Sequence, residues 1–185
     1  MIYGLPKSLT VCGKDYVIRS DFREVLKIIE ILNNVDLKEQ ERGFFTLLFF
    51  YTDFQNIPPE HYQEALEQCF WFVNGGKHED KTEGRQPTLM DWEQDFPYII
   101  APVNRVIGHE IRADAYLHWW TFLSAYMEIG ECTFAQIVHI RDARNRGKKL
   151  DDADREWYRR NHKLVDIKTR YTAAEEEFMK MWGGG

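Results

Sequence analysis

Apolar positions recur along the chain at two periods, and the change from one to the other sets out the elements. Leu9-Thr10-Val11 and Tyr16-Val17-Ile18 are short β-favouring runs around Cys12-Gly13-Lys14-Asp15, where Gly13 supplies a positive φ. This predicts a small N-terminal β-hairpin. From Asp21 the period is helical, with Phe22, Val25, Leu26, Ile29 and Leu32 on one face and Asp21 with Glu24 as a capping box. Asp36 and Glu39 open a second helix in the same manner, with Phe44, Leu47, Leu48 and Tyr51 expected on its buried side. Nearly every residue over 44–51 is apolar, so this helix either lies central to a bundle or meets something on two faces, which makes Phe45, Leu48 and Phe49 candidates for partner binding. Pro59 suits the first turn of a third helix through Tyr62, Ala65, Leu66, Cys69, Phe70 and Val73, closed by Asn74-Gly75-Gly76.

Residues 74–88 hold three glycines, a proline and many charges but no large apolar side chain, the composition of a flexible loop. Each side of it is small for an independent core, so the expectation is one mostly helical domain over 1–185. Beyond the loop, Asp91, Glu93 and Asp95 precede an apolar stretch of Phe96, Ile99, Ile100, Val103 and Ile107 that contains Pro97 and Pro102, which predicts a broken or kinked helix ending at Gly108.

Two helical phrases joined at Gly130-Glu131-Cys132 make up residues 116–146. In the first, Tyr116, Trp119, Trp120, Leu123 and Met127 fall on one face, an aromatic anchor for the core. In the second, Thr133 and Gln136 read as a capping box, followed by Phe134, Ile137 and Val138. Arg141 sits on that same apolar stripe and requires a partner there. Asp91, Glu93 and Asp95 complement the dipole of a helix start, and one of them is a candidate partner for Arg141. The last predicted helix, about 151–182, has Trp157, Leu164, Tyr171 and Phe178 seven apart, with Ile167, Ala174 and Met181 each three residues after one of them. Leu164, Tyr171 and Phe178 are therefore candidates for a coiled-coil seam. Such a helix spans roughly 45 Å at 1.5 Å per residue, so part of it is expected to project or to pair with a neighbour. The fold class is mainly α, a helical bundle with a small N-terminal hairpin and a long C-terminal helix.

Composition narrows the possibilities without naming a chemistry. Hydrophobic residues make up 44% and aromatics 15%, a globular balance. No run reaches the length of a membrane span, and the first residues lack a leader pattern, so a cytosolic location is expected. The net charge of −6 is divided unevenly, because residues 141–170 carry eleven Lys or Arg against six Asp or Glu. Basic residues there alternate with acidic ones, as on a solvated helix, and no aromatic platform accompanies them, which argues against nucleic-acid binding. Cys12, Cys69 and Cys132 stand singly, and no histidine lies at metal-ligand spacing from another His or Cys. His118 and His139 read as rings bonded within the bundle. Gly147-Lys148-Lys149 lacks the leading glycine and following Ser or Thr of a phosphate loop. No catalytic residue, metal or cofactor is expected, and the chain reads as non-enzymatic.

The order Asp91-Trp92-Glu93-Gln94-Asp95, then His118-Trp119-Trp120 with Phe122, then Thr133-Phe134 with Ile137 and Ile140-Arg141, resembles a family of tailed-phage proteins labelled bacteriophage gene product fifteen. The resemblance covers about residues 89–167, and the hairpin with its acidic-capped helix over 9–32 resembles the start of such proteins. It implies a tail-assembly chaperone that coats the long apolar tape-measure protein in the host bacterial cytoplasm, helps recruit tail-tube protein, and is absent from the mature virion. A structural tail component retained in the virion and a nucleic-acid-binding regulator are the alternatives.

Overall fold

The computed structural model describes residues 4–77, 88–173 and 175, which divide into two compact units, one of Met1–Glu79 with Thr169–Gly185 and one of Asp80–Lys168. The fold class is mainly α, with seven helices and one two-stranded antiparallel sheet among the described residues.

In the first unit, strands β1 (Ser8–Val11) and β2 (Lys14–Val17) pair from Ser8↔Val17 to Val11↔Lys14. The hairpin is tighter than its sequence suggested. Lys14 and Asp15 belong to the ladder, and the turn is Cys12-Gly13 alone, with φ of 46° and 79°. Two positive φ values are the signature of the turn whose twist matches a right-handed hairpin. Cys12 tolerates its strain because Glu64 holds it: one carboxylate oxygen accepts from the Cys12 N–H at 2.7 Å and the other from its thiol at 3.0 Å. Leu9, Val11 and Tyr16 are buried.

Helix α1 (Phe22–Leu32) starts where predicted, with the Asp21 carboxylate accepting from the Arg23 N–H, and it buries Phe22, Val25 and Ile28. Glu24 pairs with Lys27, so its carboxylate serves the helix surface. Helix α2 (Glu39–Phe50) begins at Lys38, two residues later than its predicted cap, where the Glu41 carboxylate accepts from the Lys38 N–H at 2.8 Å. Asp36 instead accepts from the Ala173 N–H at 2.7 Å. A 3-10 turn at Pro59–His61 leads into α3 (Tyr62–Val73), whose buried residues are Ala65, Cys69 and Phe72. Gly43 stands where α2 and α3 come close, since a Cβ there would meet Leu66 Cδ1 at 3.4 Å. The Tyr51 hydroxyl donates to the Ala65 carbonyl, tying the end of α2 to α3.

In the second unit, α4 (Trp92–Ile107) is one 16-residue helix that contains both Pro97 and Pro102, so of the broken or kinked helix expected there the break does not occur. Each proline removes one ladder donor, but the buried stripe of Asp95, Ile99, Ile100 and Val103 keeps the segment helical by tertiary packing. Gly108, at φ 94°, ends it as predicted. Helices α5 (Trp119–Met127), α6 (Thr133–Asn145) and α7 (Asp152–Val165) follow. The cap of α6 is Cys132, not Thr133, and Gln136 is committed elsewhere, donating to Asp154 Oδ1 at 2.7 Å.

The long C-terminal helix is corrected to the 14 residues of α7. Asp166 is extended, and residues 167–172 are not helical. Two local signals explain the stop. Asn161 already leaves helical φ/ψ, and Thr172 forms a new capping box with Glu175, donating to its carboxylate and accepting its N–H. Leu164 and Tyr171 therefore do not share a helix, and the heptad seam drawn through them is not formed. Phe178, Met181 and most of the 74–88 loop lie outside the described residues.

Candidate functional site

Arg141 is buried at 4% exposure, and Asp95, opposite it on α4, is fully buried. The sequence offered three carboxylates for this arginine; α4 turns Asp95 inward while Asp91 caps the helix by accepting from the Gln94 N–H. The pair is bidentate, with Nη1 to Oδ2 at 2.6 Å and Nη2 to Oδ1 at 2.9 Å. Three backbone carbonyls take the remaining donors: Nε reaches Val165 at 2.6 Å, Nη2 reaches Leu164 at 2.9 Å and Nη1 reaches Leu89 at 3.0 Å. A guanidinium has five N–H donors, so the charge is desolvated with every donor answered. Val165 and Leu164 are the last carbonyls of α7, which a helix end leaves without intrahelical partners. Gln94 completes the arrangement by donating to Asp166 O at 3.0 Å and accepting from the Lys168 N–H at 3.1 Å. Sequence reasoning missed Gln94; its place three residues after a helix cap was the available signal.

Around this node lies an aromatic cluster. Trp119 is 1% exposed and stacks on Phe122 at 5.5 Å with 16° between planes. Trp92 meets Trp119 edge-on at 5.7 Å, and Tyr126 bridges from Trp92 to Phe134. Phe134, Ile137 and Ile140 are buried beside it. The face of α5 differs from the one expected. Trp119, Phe122 and Ala125 point inward, Trp120 is half-buried, and Tyr116 and Met127 are exposed at 45% and 65%. His118 is buried as the cap of α5, its Nδ1 accepting from the Trp120 N–H at 3.0 Å. His139 stands with Asp154 at 3.1 Å. Leu164 is half-buried, and Tyr171 is exposed outside any helix.

In the first unit α2 buries Thr46, Leu47 and Phe50, together with the following Tyr51, and turns the rest outward. Phe44 and Leu48, expected inside, are exposed at 44% and 40%; Phe49 is exposed at 46% and Phe45 is half-buried. These four positions form two adjacent i, i+4 rows, one apolar stripe on the helix. Phe44 is braced edge-on by Phe45 at 5.8 Å and Phe54 at 5.3 Å. Arg19 fixes the last turn, its Nη1 donating to the Phe49 carbonyl at 2.6 Å. The stripe is thus presented by an anchored helix end, and docking an apolar partner there would cost little ordering.

The remaining candidate chemistry is muted. Glu64 raises the Cys12 thiol by accepting its hydrogen bond, and burial pushes the Cys69 thiol up, the opposite of what a nucleophile needs. Among the described residues no three His, Cys, Asp or Glu stand where a metal could be held, and no helix is long and apolar enough to cross a membrane. Many basic side chains of the 141–170 stretch are paired with carboxylates, as Arg144 is with Asp166, Arg146 with Asp142, and Arg159 and Arg160 with Glu156.

The Cys12–Glu64 contact gives a measurable consequence. Since the raised thiol favours the protonated form, its contribution to hairpin stability is present at neutral pH and fades as pH rises through its folded value. Alkylation of Cys12 at pH 8, followed by peptide mapping, should accelerate roughly threefold to tenfold in Glu64→Gln. An unchanged rate would show that the carboxylate does not hold the thiol.

The family model described as Bacteriophage Gp15 protein matches residues 1–167. No curated protein and no solved structure matches the chain.

Proposed function

The chain belongs to the bacteriophage Gp15 protein family, and from that premise we propose that it is a tail-assembly chaperone. It binds the tape-measure protein in the host cytoplasm, supports assembly of the tail tube, and leaves before the virion is complete. The observation that carries this reading is the exposed stripe of Phe44, Leu48 and Phe49 with half-buried Phe45 on α2. A long apolar helical chain needs a cover, and an aromatic helix face supplies one by helix-to-helix packing. Each of the three exposed side chains is worth on the order of 1 kcal/mol when covered.

The tape-measure protein of the same phage, expressed alone and then with this chain, tests the reading. It should move from the pellet to the soluble fraction and co-purify with the chain. A tape measure that stays insoluble beside soluble chaperone would refute it. Mass spectrometry of purified virions separates this role from that of a retained tail component, because the chaperone should be missing.

A further inference from the structure

The second unit, Asp80–Lys168, is inserted within the first, which resumes at Thr169. Its incoming segment reaches the Arg141 node at Leu89, and its outgoing segment reaches the same node at Leu164 and Val165. Gln94 adds a second tie on the outgoing side, at Asp166 and Lys168. Both chain ends of the inserted unit are therefore stapled to one buried ion pair, Arg141 with Asp95. The ties on the first unit are of a different kind: Ala173 bonds Asp36, and Glu64 holds Cys12.

We infer that Asp80–Lys168 is an inserted module closed at its two ends by an Arg141 latch, and that it opens and closes as its own cooperative unit while the first unit stays folded. The physical basis is that the latch brings together residues distant in sequence, so the entropic cost of closing the insertion is met once, by the unit as a whole. When the latch is lost, the Leu89 and Val165 carbonyls lose their side-chain donor and the buried Asp95 carboxylate keeps only the Asp91 N–H, a penalty confined to this unit. Contiguous segments with their own core and closure are the ones that open as separate units in native-state exchange. The inference does not depend on the chaperone reading.

Hydrogen exchange of the full chain, resolved to peptides, tests it. In the wild type, amides of α4 to α7 should respond to increasing urea along one common line, and those of α1 to α3 along another. Arg141→Lys keeps the charge but not the five-donor fork, and should lower protection throughout α4 to α7 by roughly a hundredfold while α1 to α3 keep wild-type rates. Gln94→Ala should lower protection only around residues 164–168. A single line for all helices in the wild type, or a parallel loss in α1 to α3 in Arg141→Lys, would overturn the inference, as would unchanged protection in α4 and α7.

Discussion

Arg141→Ala is expected to destabilise the inserted unit by about 3–5 kcal/mol, the cost of leaving a buried charge uncompensated. Asp95, fully buried, would lose both bonds of its bidentate partner and retain only the Asp91 N–H, which donates to Oδ2 at 2.9 Å. The carbonyls of Leu89 and Val165 would lose their side-chain donor at the same time, and that of Leu164 would keep only Gln94 Nε2 at 3.4 Å. The double variant Arg141→Met with Asp95→Leu removes the orphaned carboxylate but not the orphaned carbonyls. It should therefore be more stable than Arg141→Ala and still less stable than the wild type, by about 1–3 kcal/mol. Urea unfolding followed by tryptophan fluorescence reads both, and a loss under 1 kcal/mol in Arg141→Ala would mean that water enters the node and the ion pair is not buried in solution.

Trp119→Ala should cost about 3–5 kcal/mol, as expected for removing a fully buried indole from a packed cluster. The cluster has little capacity to collapse around the gap, because Trp92 and Phe122 are each held by a further ring, Trp92 at Tyr126 and Phe122 at Trp92. Trp120→Ala, one position along, should cost only about 1 kcal/mol, since that ring is half-buried. Thermal unfolding of the two variants side by side is the check. Equal losses would restore the arrangement in which both indoles of α5 face the core.

That contrast marks where the sequence was informative and where it was silent. Helix starts at Asp21 and Asp91 were legible because a side-chain oxygen before an apolar period is a local signal. The demand of Arg141 for a carboxylate was legible from its place on an apolar stripe. The facing of α2 was not, because a segment that is apolar all round carries no polar face to report its orientation. In α5 the large apolar side chains spread over more than half the circumference, so its orientation came from tertiary packing, which buries Trp119, Phe122 and Ala125. The end of α7 was misread because heptad spacing outweighed two local facts, the non-helical Asn161 and the Thr172-x-x-Glu175 box. The inserted topology is invisible to any periodicity argument, since it depends on the chain after Thr169 returning to the first unit, where the Ala173 N–H donates to Asp36.

The candidate surface emerges from this same blind spot. The basic residues of 141–170 largely answer neighbouring carboxylates, so charge marks out no separate surface there. Leu48 and Phe49 were picked out for excess hydrophobicity, and the fold leaves them on the outside of an anchored turn. The most direct test is therefore co-expression of the tape-measure protein with Leu48→Asp/Phe49→Asp, after circular dichroism has shown the variant to be as helical as the wild type. The account predicts that the wild type holds the tape measure in the soluble fraction and the variant leaves it in the pellet. A variant that solubilises and co-purifies the tape measure as well as the wild type would contradict it.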